Sequence, residues 1–191
     1  ISIKYLISKF PNIILMILKS LKSLMEANLK IAVLTVSDTR TLETDTSGQF
    51  LCDALSEANH ILQDRTLIAD DIYLLRAKVS AWIADPEVEV VLLTGGTGFT
   101  NRDSTPEAIE PLLDTVVPGF GELFRALSFD EIGTSTVQSR AVGGLANNTL
   151  VFCMPGSTGA CKTAWGGILE QQLDINNRPC NFAELIRTGK H

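Results

Sequence analysis

Residues 88–109, VEVVLLTGGTGFTNRDSTPEAI, contain three structural signals that follow one another directly. The first seven residues are mostly apolar and β-branched, which predicts a strand buried on both faces. The glycines of TGGTG (94–98) permit backbone conformations that other residues rarely adopt, so a tight turn follows the strand. Ser104 and Glu107 have the spacing of a capping box, which predicts that a helix begins here. A buried strand, a glycine-rich turn and a helix form the basic unit of an α/β fold.

Strands and helices alternate on both sides of this unit. Apolar, β-branched runs predict strands at 29–38, 65–71, 88–94 and 148–154. Apolar residues at helical spacing predict helices at 47–62, 72–84, 105–114, 119–129 and 158–172. Ser47 is the predicted N-cap of the first helix. The alternation predicts a parallel sheet with helices on both faces, in one domain from about 29 to 175.

The composition is that of an ordinary globular protein. Of 191 residues, 45% are hydrophobic and 20% are charged, which excludes wholesale disorder, collagen and a disulfide scaffold. The formal net charge is -6, and an acidic domain is poorly suited to binding nucleic acid. The four cysteines form no CxxC pair and there are two histidines, so a zinc site is not indicated. A reduced, cytoplasmic setting fits this cysteine usage.

The first 24 residues, ISIKYLISKFPNIILMILKSLKSL, differ from the rest because they contain four lysines and no acidic residue. The apolar run at 13–18 is too short for a signal peptide, and Pro11 and the lysines interrupt any membrane span. A basic amphipathic helix on a membrane surface and an appendage outside the domain both stay open. We favour the appendage, with Met25 as the natural start and no membrane partner.

Glycine-rich loops follow two of the predicted strands, at the end of the sheet where open parallel sheets bind ligands. The turn 94–98 leads into a helix N-terminus, whose backbone N–H groups suit a phosphate. The alternative is a tight turn without a ligand. The segment 154–165, MPGSTGACKTAW, has a similar layout, with an ordinary capped helix as the alternative. Neither segment completes the GxGxxG or Walker A pattern of nucleotide-binding proteins.

Acidic residues also follow two of these strands. Asp70 and Asp71 end the second predicted strand, and Asp103 lies in the glycine-rich loop. Carboxylates at strand ends can hold Mg²⁺ beside a nucleotide, although a solvated turn with a helix cap is the alternative for Asp70 and Asp71. A Ser-His-Asp hydrolase has little support, because His60 lies on a predicted helix and His191 is the terminal residue. The sequence predicts a magnesium site formed by Asp70 and Asp103.

Four segments in order resemble the molybdenum cofactor biosynthesis family of molybdopterin-binding proteins, the MoaB/MogA family. They are TGGTGFTNRDSTPEAI (94–109), PGFGELFRALSFDEIGTSTVQSRAVGG (118–144), NTLVFCMPGSTGACKTAW (148–165) and LDINNRPCNF (173–182). The stretches SFDEIGTST, SRAVGG and RPCNF are most similar to the MoaB branch. The resemblance covers 29–182 and leaves 183–191 as a predicted C-terminal tail.

The resemblance implies a three-layer α/β/α fold with a mostly parallel sheet, assembled as a homo-trimer or hexamer. It also implies adenylylation of molybdopterin with ATP and Mg²⁺, alongside other proteins of the cofactor pathway. Asp103 and Asp70 match the family's catalytic aspartates, with Mg²⁺ coordination as their implied role. The residues implied to contact substrate are Thr94, Gly95, Gly96, Thr97, Gly98, Ser139, Arg140, Pro155, Gly156 and Ser157. Because related G domains also serve as scaffolds, the alternative is a non-catalytic molybdopterin-binding or assembly component.

Overall fold

The computed structural model describes residues 28–189, together with residues 12, 13, 15 and 16. Apart from those four helical positions, the predicted appendage 1–24 lies outside the described residues. No helix in the described part of the chain is both long enough and apolar enough to cross a membrane.

A six-stranded sheet forms the middle layer, in the order β2-β1-β3-β6-β5-β4. The strands are β1 (Lys30–Val36), β2 (Ile61–Ile68), β3 (Val90–Thr94), β4 (Thr115–Val116), β5 (Val142–Ala146) and β6 (Thr149–Met154). The pairs β2·β1, β1·β3 and β3·β6 are parallel, and the pairs β6·β5 and β5·β4 are antiparallel. This arrangement confirms the mostly parallel sheet, and β1, β3 and β6 are its buried centre.

Helices cover both faces of this sheet. They are α1 (Thr46–Glu57), α2 (Ile72–Ala84), α3 (Thr105–Ile109), α4 (Pro118–Ile132), α5 (Thr158–Ala164) and α6 (Phe182–Thr188). The chain after α5 continues through a π-helical turn, Trp165–Leu169, into a short α-helical end, Glu170–Gln172. One 3-10 helix, Glu110–Leu112, prolongs α3, and a second, Gly133–Gln138, follows α4.

Two hydrophobic clusters, one on each face, separate the three layers. Ile31 and Val33 of β1 pack into the cluster formed with α1, α4, α5 and α6, whereas Ala32 and Leu34 pack into the cluster formed with α2 and α3. Successive side chains of a strand point to opposite faces, so a continuous apolar strand supplies both clusters. The apolar run that predicted β1 is therefore explained by helices on both sides.

The first predicted helix is too long at its C-terminal end and has the wrong N-cap. It ends at Glu57 because Asn59 adopts a left-handed conformation (φ 63°), and the chain then enters β2 at Ile61. At the other end the N-cap is Asp45, whose carboxylate accepts from the backbone N–H of Gly48 at 2.9 Å. Ser47 lies inside the first turn instead.

Strands β4 and β5 have no clear signal in the sequence and were not predicted. These strands are short, and β5 contains Gly143 and Gly144, whose lack of side chains hides the alternating pattern of a strand. Asn147 and Asn148 both have positive φ between β5 and β6, which suits the two-residue turn of a hairpin.

Most of the segment predicted as a C-terminal tail, 183–191, lies in α6 (Phe182–Thr188). Ala183 and Ile186 are buried in the larger cluster, and Arg187 forms an ion pair with Glu89 at 2.8 Å. Apolar burial together with this ion pair attaches the helix to the domain.

His60 gives a testable consequence for stability. It is buried against Trp165, and its Nδ1 accepts from the backbone N–H of Leu29 at 3.2 Å. Burial lowers the pKa of His60 from its ordinary value of 6.5. The unfolded chain therefore takes up a proton first, and the free energy of unfolding should fall as the pH decreases below about 6.5.

Urea unfolding at pH 7.5 and pH 5.5 measures this change. The His60→Gln variant is expected to lose less stability than the wild type between the two values, because its side chain does not titrate. An equal loss in both proteins would contradict the assignment of a neutral, buried imidazole.

Candidate functional site

A cavity of about 520 Å³ lies at the carboxyl ends of β1, β3 and β6. The chain runs from β1 to β2 on one side, whereas β3 pairs with β1 on the other, so this is the point where the strand order reverses. Open α/β sheets bind ligands in such crevices. Of the predicted site residues, those lining the cavity are Thr94, Gly95, Gly96, Thr97, Gly98, Asp103, Ser139, Pro155, Gly156 and Ser157.

The glycine-rich loop after β3 forms the floor of the cavity. Gly95 (φ 104°) and Gly96 (φ 63°) adopt the left-handed conformations that glycine tolerates. A Cβ on Gly95 would lie 2.2 Å from the carbonyl oxygen of Val36, and one on Gly96 would lie 2.3 Å from Thr105 Oγ1. The backbone conformation and the close neighbours both exclude a side chain at these two positions. The cavity is therefore lined there by backbone atoms alone.

The loop after β6 forms the adjacent wall and is fastened to the floor. Thr94 is buried and its Oγ1 donates to the carbonyl oxygen of Pro155 at 3.1 Å. The Cys161 sulfur lies 3.2 Å from the same hydroxyl, and burial raises the pKa of this thiol to about 11. Cys161 is therefore a protonated structural thiol. Ser157 caps α5, because its Oγ accepts from the backbone N–H of Ala160.

Asp103 is held in a fixed conformation at the edge of the cavity. Its Oδ2 accepts from the backbone N–H of Thr100 at 2.9 Å and from Thr100 Oγ1 at 2.5 Å. The hydrogen bond from the Thr100 hydroxyl lowers the pKa of Asp103, with further lowering from backbone N–H groups and the positive charge of Arg140. The carboxylate is thus ionised at neutral pH and oriented by groups of the protein itself.

Asp70 does not line the main cavity. It lies in a neighbouring depression of about 450 Å³ that Asp103 also lines. Its Oδ1 accepts from the backbone N–H of Ser104 at 3.1 Å and from Ser104 Oγ at 2.5 Å. The predicted capping box does not form, because the hydroxyl of Ser104 binds Asp70 and caps no backbone N–H of α3. The carboxylate of Asp70 thus lies at the N-terminus of α3, where the sequence analysis expected the phosphate of a ligand.

Arg140 lies behind the glycine-rich loop rather than in the cavity. Its guanidinium donates to the carbonyl oxygens of Thr97, Gly98 and Asp103, and it forms an ion pair with Glu107. Because these contacts use its donors on the protein, Arg140 supports the loop and positions Asp103. The implied contact of Arg140 with substrate stays a prediction.

Sequence reasoning missed the contribution of the loop after β1. Ser37, Thr39 and Arg40 line the cavity, and Ser135 and Gln138 join Ser139 on the facing side. The sequence prediction extended the first strand to residue 38, whereas β1 ends at Val36, so Ser37 was counted as part of the strand rather than of the loop.

A larger cavity, of about 630 Å³, lies at the opposite end of the sheet and does not have these features. Its charged side chains include Glu89 and Arg187, which neutralise each other. It contains no glycine-rich strand-end loop, so its size does not make it the site.

The two predicted magnesium ligands, Asp70 and Asp103, are too few to hold a metal by themselves. They fit a Mg²⁺ ion that binds together with a phosphate-bearing substrate. No group of three or more His, Cys, Asp or Glu side chains in the described part of the chain is arranged to hold a metal. Mg²⁺ in nucleotide sites needs one or two carboxylates, because phosphates and waters complete its shell. Asp70 and Asp103 line one depression and satisfy this smaller requirement.

The hydrogen bonds between Asp70 and Ser104 form a structural contact that the sequence did not predict. We expect Asp70→Ala to lower the free energy of unfolding by about 1–2 kcal/mol, because the N–H and hydroxyl of Ser104 lose a shared acceptor. Asp70→Asn keeps an acceptor and should cost less. Urea unfolding of both variants checks this, and equal stability of Asp70→Ala and the wild type would contradict it.

Comparison with known proteins agrees with this architecture. The sequence model of the family described as "Probable molybdopterin binding domain" matches residues 32–174. Molybdenum cofactor biosynthesis protein B of Escherichia coli (strain K12) is 59% identical over 153 residues, covering 80% of this chain and 90% of the relative. The corresponding Bacillus subtilis (strain 168) protein is 45% identical over 142 residues, covering 74% and 84%.

Solved structures show the same relationship. A crystal structure of molybdenum cofactor biosynthesis protein B superposes with a TM-score of 0.74 at 44% identity, covering 76% of this chain and 91% of the other. The tungsten cofactor synthesizing protein MoaB from Pyrococcus furiosus superposes with a TM-score of 0.68 at 35% identity, covering 75% and 92%. The chain belongs to the molybdopterin-binding domain family, in its MoaB branch.

Proposed function

We propose that this protein acts in molybdenum cofactor biosynthesis by binding molybdopterin in the cavity at the ends of β1, β3 and β6 and adenylylating it with ATP and Mg²⁺. The observation that carries the proposal is the meeting of bare glycine backbone and the ionised, pre-oriented Asp103 at one cavity edge. The names of the relatives and the family match support the same pathway.

The reaction needs positioning and charge compensation more than proton transfer. A phosphate monoester is largely deprotonated at neutral pH, so its oxygen is already a nucleophile. That oxygen of molybdopterin forms a bond to the α-phosphorus of ATP, and the bond from this phosphorus to the oxygen bridging to the β-phosphorus breaks. The electron pair leaves with pyrophosphate.

The protein's own groups would act by holding the two anionic substrates in line. The backbone of Gly95 and Gly96 lets a phosphate approach closely, and the walls from Pro155 to Ser157 and around Ser139 limit its orientation. Asp103 and Asp70 would hold Mg²⁺, and the metal would supply positive charge to compensate the negative charge of pyrophosphate. Without a cation, these carboxylates would repel the phosphates.

A non-catalytic molybdopterin-binding or assembly component is the second candidate. It is favoured by the contact of Asp70 with Ser104, which gives that carboxylate a structural purpose without any metal. A binder requires the cavity but no nucleotide.

Incubation with molybdopterin, ATP and Mg²⁺ separates the two functions. Formation of adenylylated molybdopterin and pyrophosphate is expected, and omission of Mg²⁺ should abolish it. Tight molybdopterin binding with no product under either condition would support the binding component. Absence of molybdopterin binding would overturn both.

Assembly as a homo-trimer or hexamer, and cytoplasmic action beside other pathway proteins, belong to the same proposal. Three large apolar side chains in the segment 129–137 remain exposed, namely Phe129, Ile132 and Val137. Light scattering at micromolar concentration tests the assembly, and a mass corresponding to a monomer would contradict it.

A further inference from the structure

Arg40 contributes a positive charge to the cavity that the proposed mechanism does not use. Its side chain is 35% exposed and lines the cavity beside the loop that follows β6. Its Nη1 donates to Ser47 Oγ at 2.7 Å and to the carbonyl oxygen of Gly156 at 3.3 Å. Among the described residues that line this cavity, it is the one cationic side chain.

The guanidinium is anchored from below by a buried carboxylate. Asp45 is fully buried, and its Oδ1 accepts from Ser47 Oγ at 3.2 Å. The same Ser47 oxygen accepts from Arg40, so a continuous hydrogen-bonded chain joins the carboxylate to the arginine. Asp45 also lies 3.8 Å from Arg40 Nη1. These contacts fix the guanidinium through one nitrogen.

The remaining donors of Arg40 have no acceptor among the described residues. The hydrogen bonds of its guanidinium all use Nη1, which leaves the N–H groups of Nε and Nη2. Arginine binds phosphate through two such parallel N–H groups, and this geometry is stronger than a single contact.

The charge balance favours an anion at this position. Asp45 is shared with a second arginine, because Arg65 Nη2 donates to its Oδ2 at 3.2 Å. Two arginines with one carboxylate leave one positive charge, and Arg40 is the more exposed of the two, at 35% against 19% for Arg65. The excess charge therefore faces the cavity.

We propose that Arg40 binds a phosphate group of a substrate in this cavity, and that Ser47 is a positioning residue that ties Arg40 to Asp45. The proposal rests on the proposed function, since molybdopterin and ATP both carry the phosphate chemistry that Arg40 recognises. It adds a contact residue from the β1 loop to the two glycine-rich loops.

Binding measurements with three probes test the contact. Calorimetry is performed with molybdopterin, with dephosphorylated molybdopterin and with ATP plus Mg²⁺, on wild type, Arg40→Gln and Arg40→Lys. Arg40→Gln is expected to weaken binding of a phosphate-bearing probe about 10- to 100-fold, because a hydrogen bond to a charged group is lost. Arg40→Lys should fall between the two. The matched control is Arg178→Gln, because Arg178 is exposed and pairs with Glu184 outside the cavity.

The pattern across probes identifies the phosphate. If Arg40→Gln loses affinity for molybdopterin alone, Arg40 contacts the phosphate of the pterin. If the variant loses affinity for ATP alone, Arg40 contacts a phosphate of the nucleotide. The dephosphorylated pterin should bind both proteins equally, whereas a merely structural defect would weaken it too. The assignment would be overturned if Arg40→Gln and the wild type bound every probe with equal affinity. It would also be overturned if the variant lost as much affinity for dephosphorylated molybdopterin as for molybdopterin. Wild type that binds no molybdopterin would instead refute the proposed function.

A double-mutant cycle tests the positioning residue. Ser47→Ala is expected to weaken phosphate-dependent binding about threefold in the wild-type background, on the order of a neutral hydrogen bond. It should have no effect in the Arg40→Gln background, because no guanidinium remains to be held. Additive losses in the double variant would show that Ser47 acts independently of Arg40.

Discussion

Replacing Asp103 with Asn is expected to lower the rate of molybdopterin adenylylation by a factor of about 100 or more, with little change in molybdopterin affinity. The Asn side chain retains an oxygen that can accept from the N–H and hydroxyl of Thr100, so the loop should keep its shape. The variant loses the negative charge that, in the proposed mechanism, would hold Mg²⁺ against the departing phosphates. Removing one preorganised electrostatic contact typically costs this factor in rate.

Single-turnover assays with saturating molybdopterin and ATP measure the rate, and calorimetry measures affinity. The matched control is Asp85→Asn, whose carboxylate accepts from the backbone N–H of Glu87 outside the main cavity. This control should retain wild-type turnover and stability. Wild-type turnover in Asp103→Asn would remove Asp103 from the catalytic assignment.

The sequence was informative where one residue pattern determines the structure. The apolar runs at β1, β3 and β6 predicted the buried centre of the sheet, because a strand covered on both faces must be apolar throughout. The glycines of 94–98 likewise predicted the tight turn that forms the floor of the cavity. Few other residues tolerate the conformation and the close contacts found there.

The sequence could not show contacts whose partner lies far along the chain. Arg140 donates hydrogen bonds to carbonyl oxygens more than forty residues earlier, which no local pattern indicates. Asp70 was predicted to be a metal ligand, which stays a prediction, and its hydrogen bond with Ser104 could not be foreseen because it depends on the neighbouring positions of two loops. Arg40 was overlooked because its anchor, Asp45, resembles any polar loop residue until Arg65 of β2 is brought against it.

The anchor itself should dominate the stability of this end of the sheet. Asp45→Ala is expected to lower the free energy of unfolding by about 3 kcal/mol, the low end for breaking a buried ion pair, because both arginines retain some exposure. The Thr35 hydroxyl and the backbone N–H of Gly48 also lose their acceptor. Asp53→Ala is the control, since Asp53 lies exposed on the same helix and should change stability by less than about 0.5 kcal/mol.

Acid unfolding adds an independent measurement of the same carboxylate. Burial alone would raise the pKa of Asp45, but hydrogen bonds from Gly48, Thr35, Arg65 and Ser47 together hold it below its ordinary value of 3.8. The stabilising contribution of the Asp45 carboxylate is therefore fully present well above pH 3.8, the pKa in the unfolded chain. This contribution is lost as the pH falls through the lower pKa of the folded state. The difference in stability between wild type and Asp45→Ala should thus shrink as the pH is lowered from 6 to 3. A constant difference over this range would mean that the lost stability comes from packing at α1 rather than from the charged network that holds Arg40.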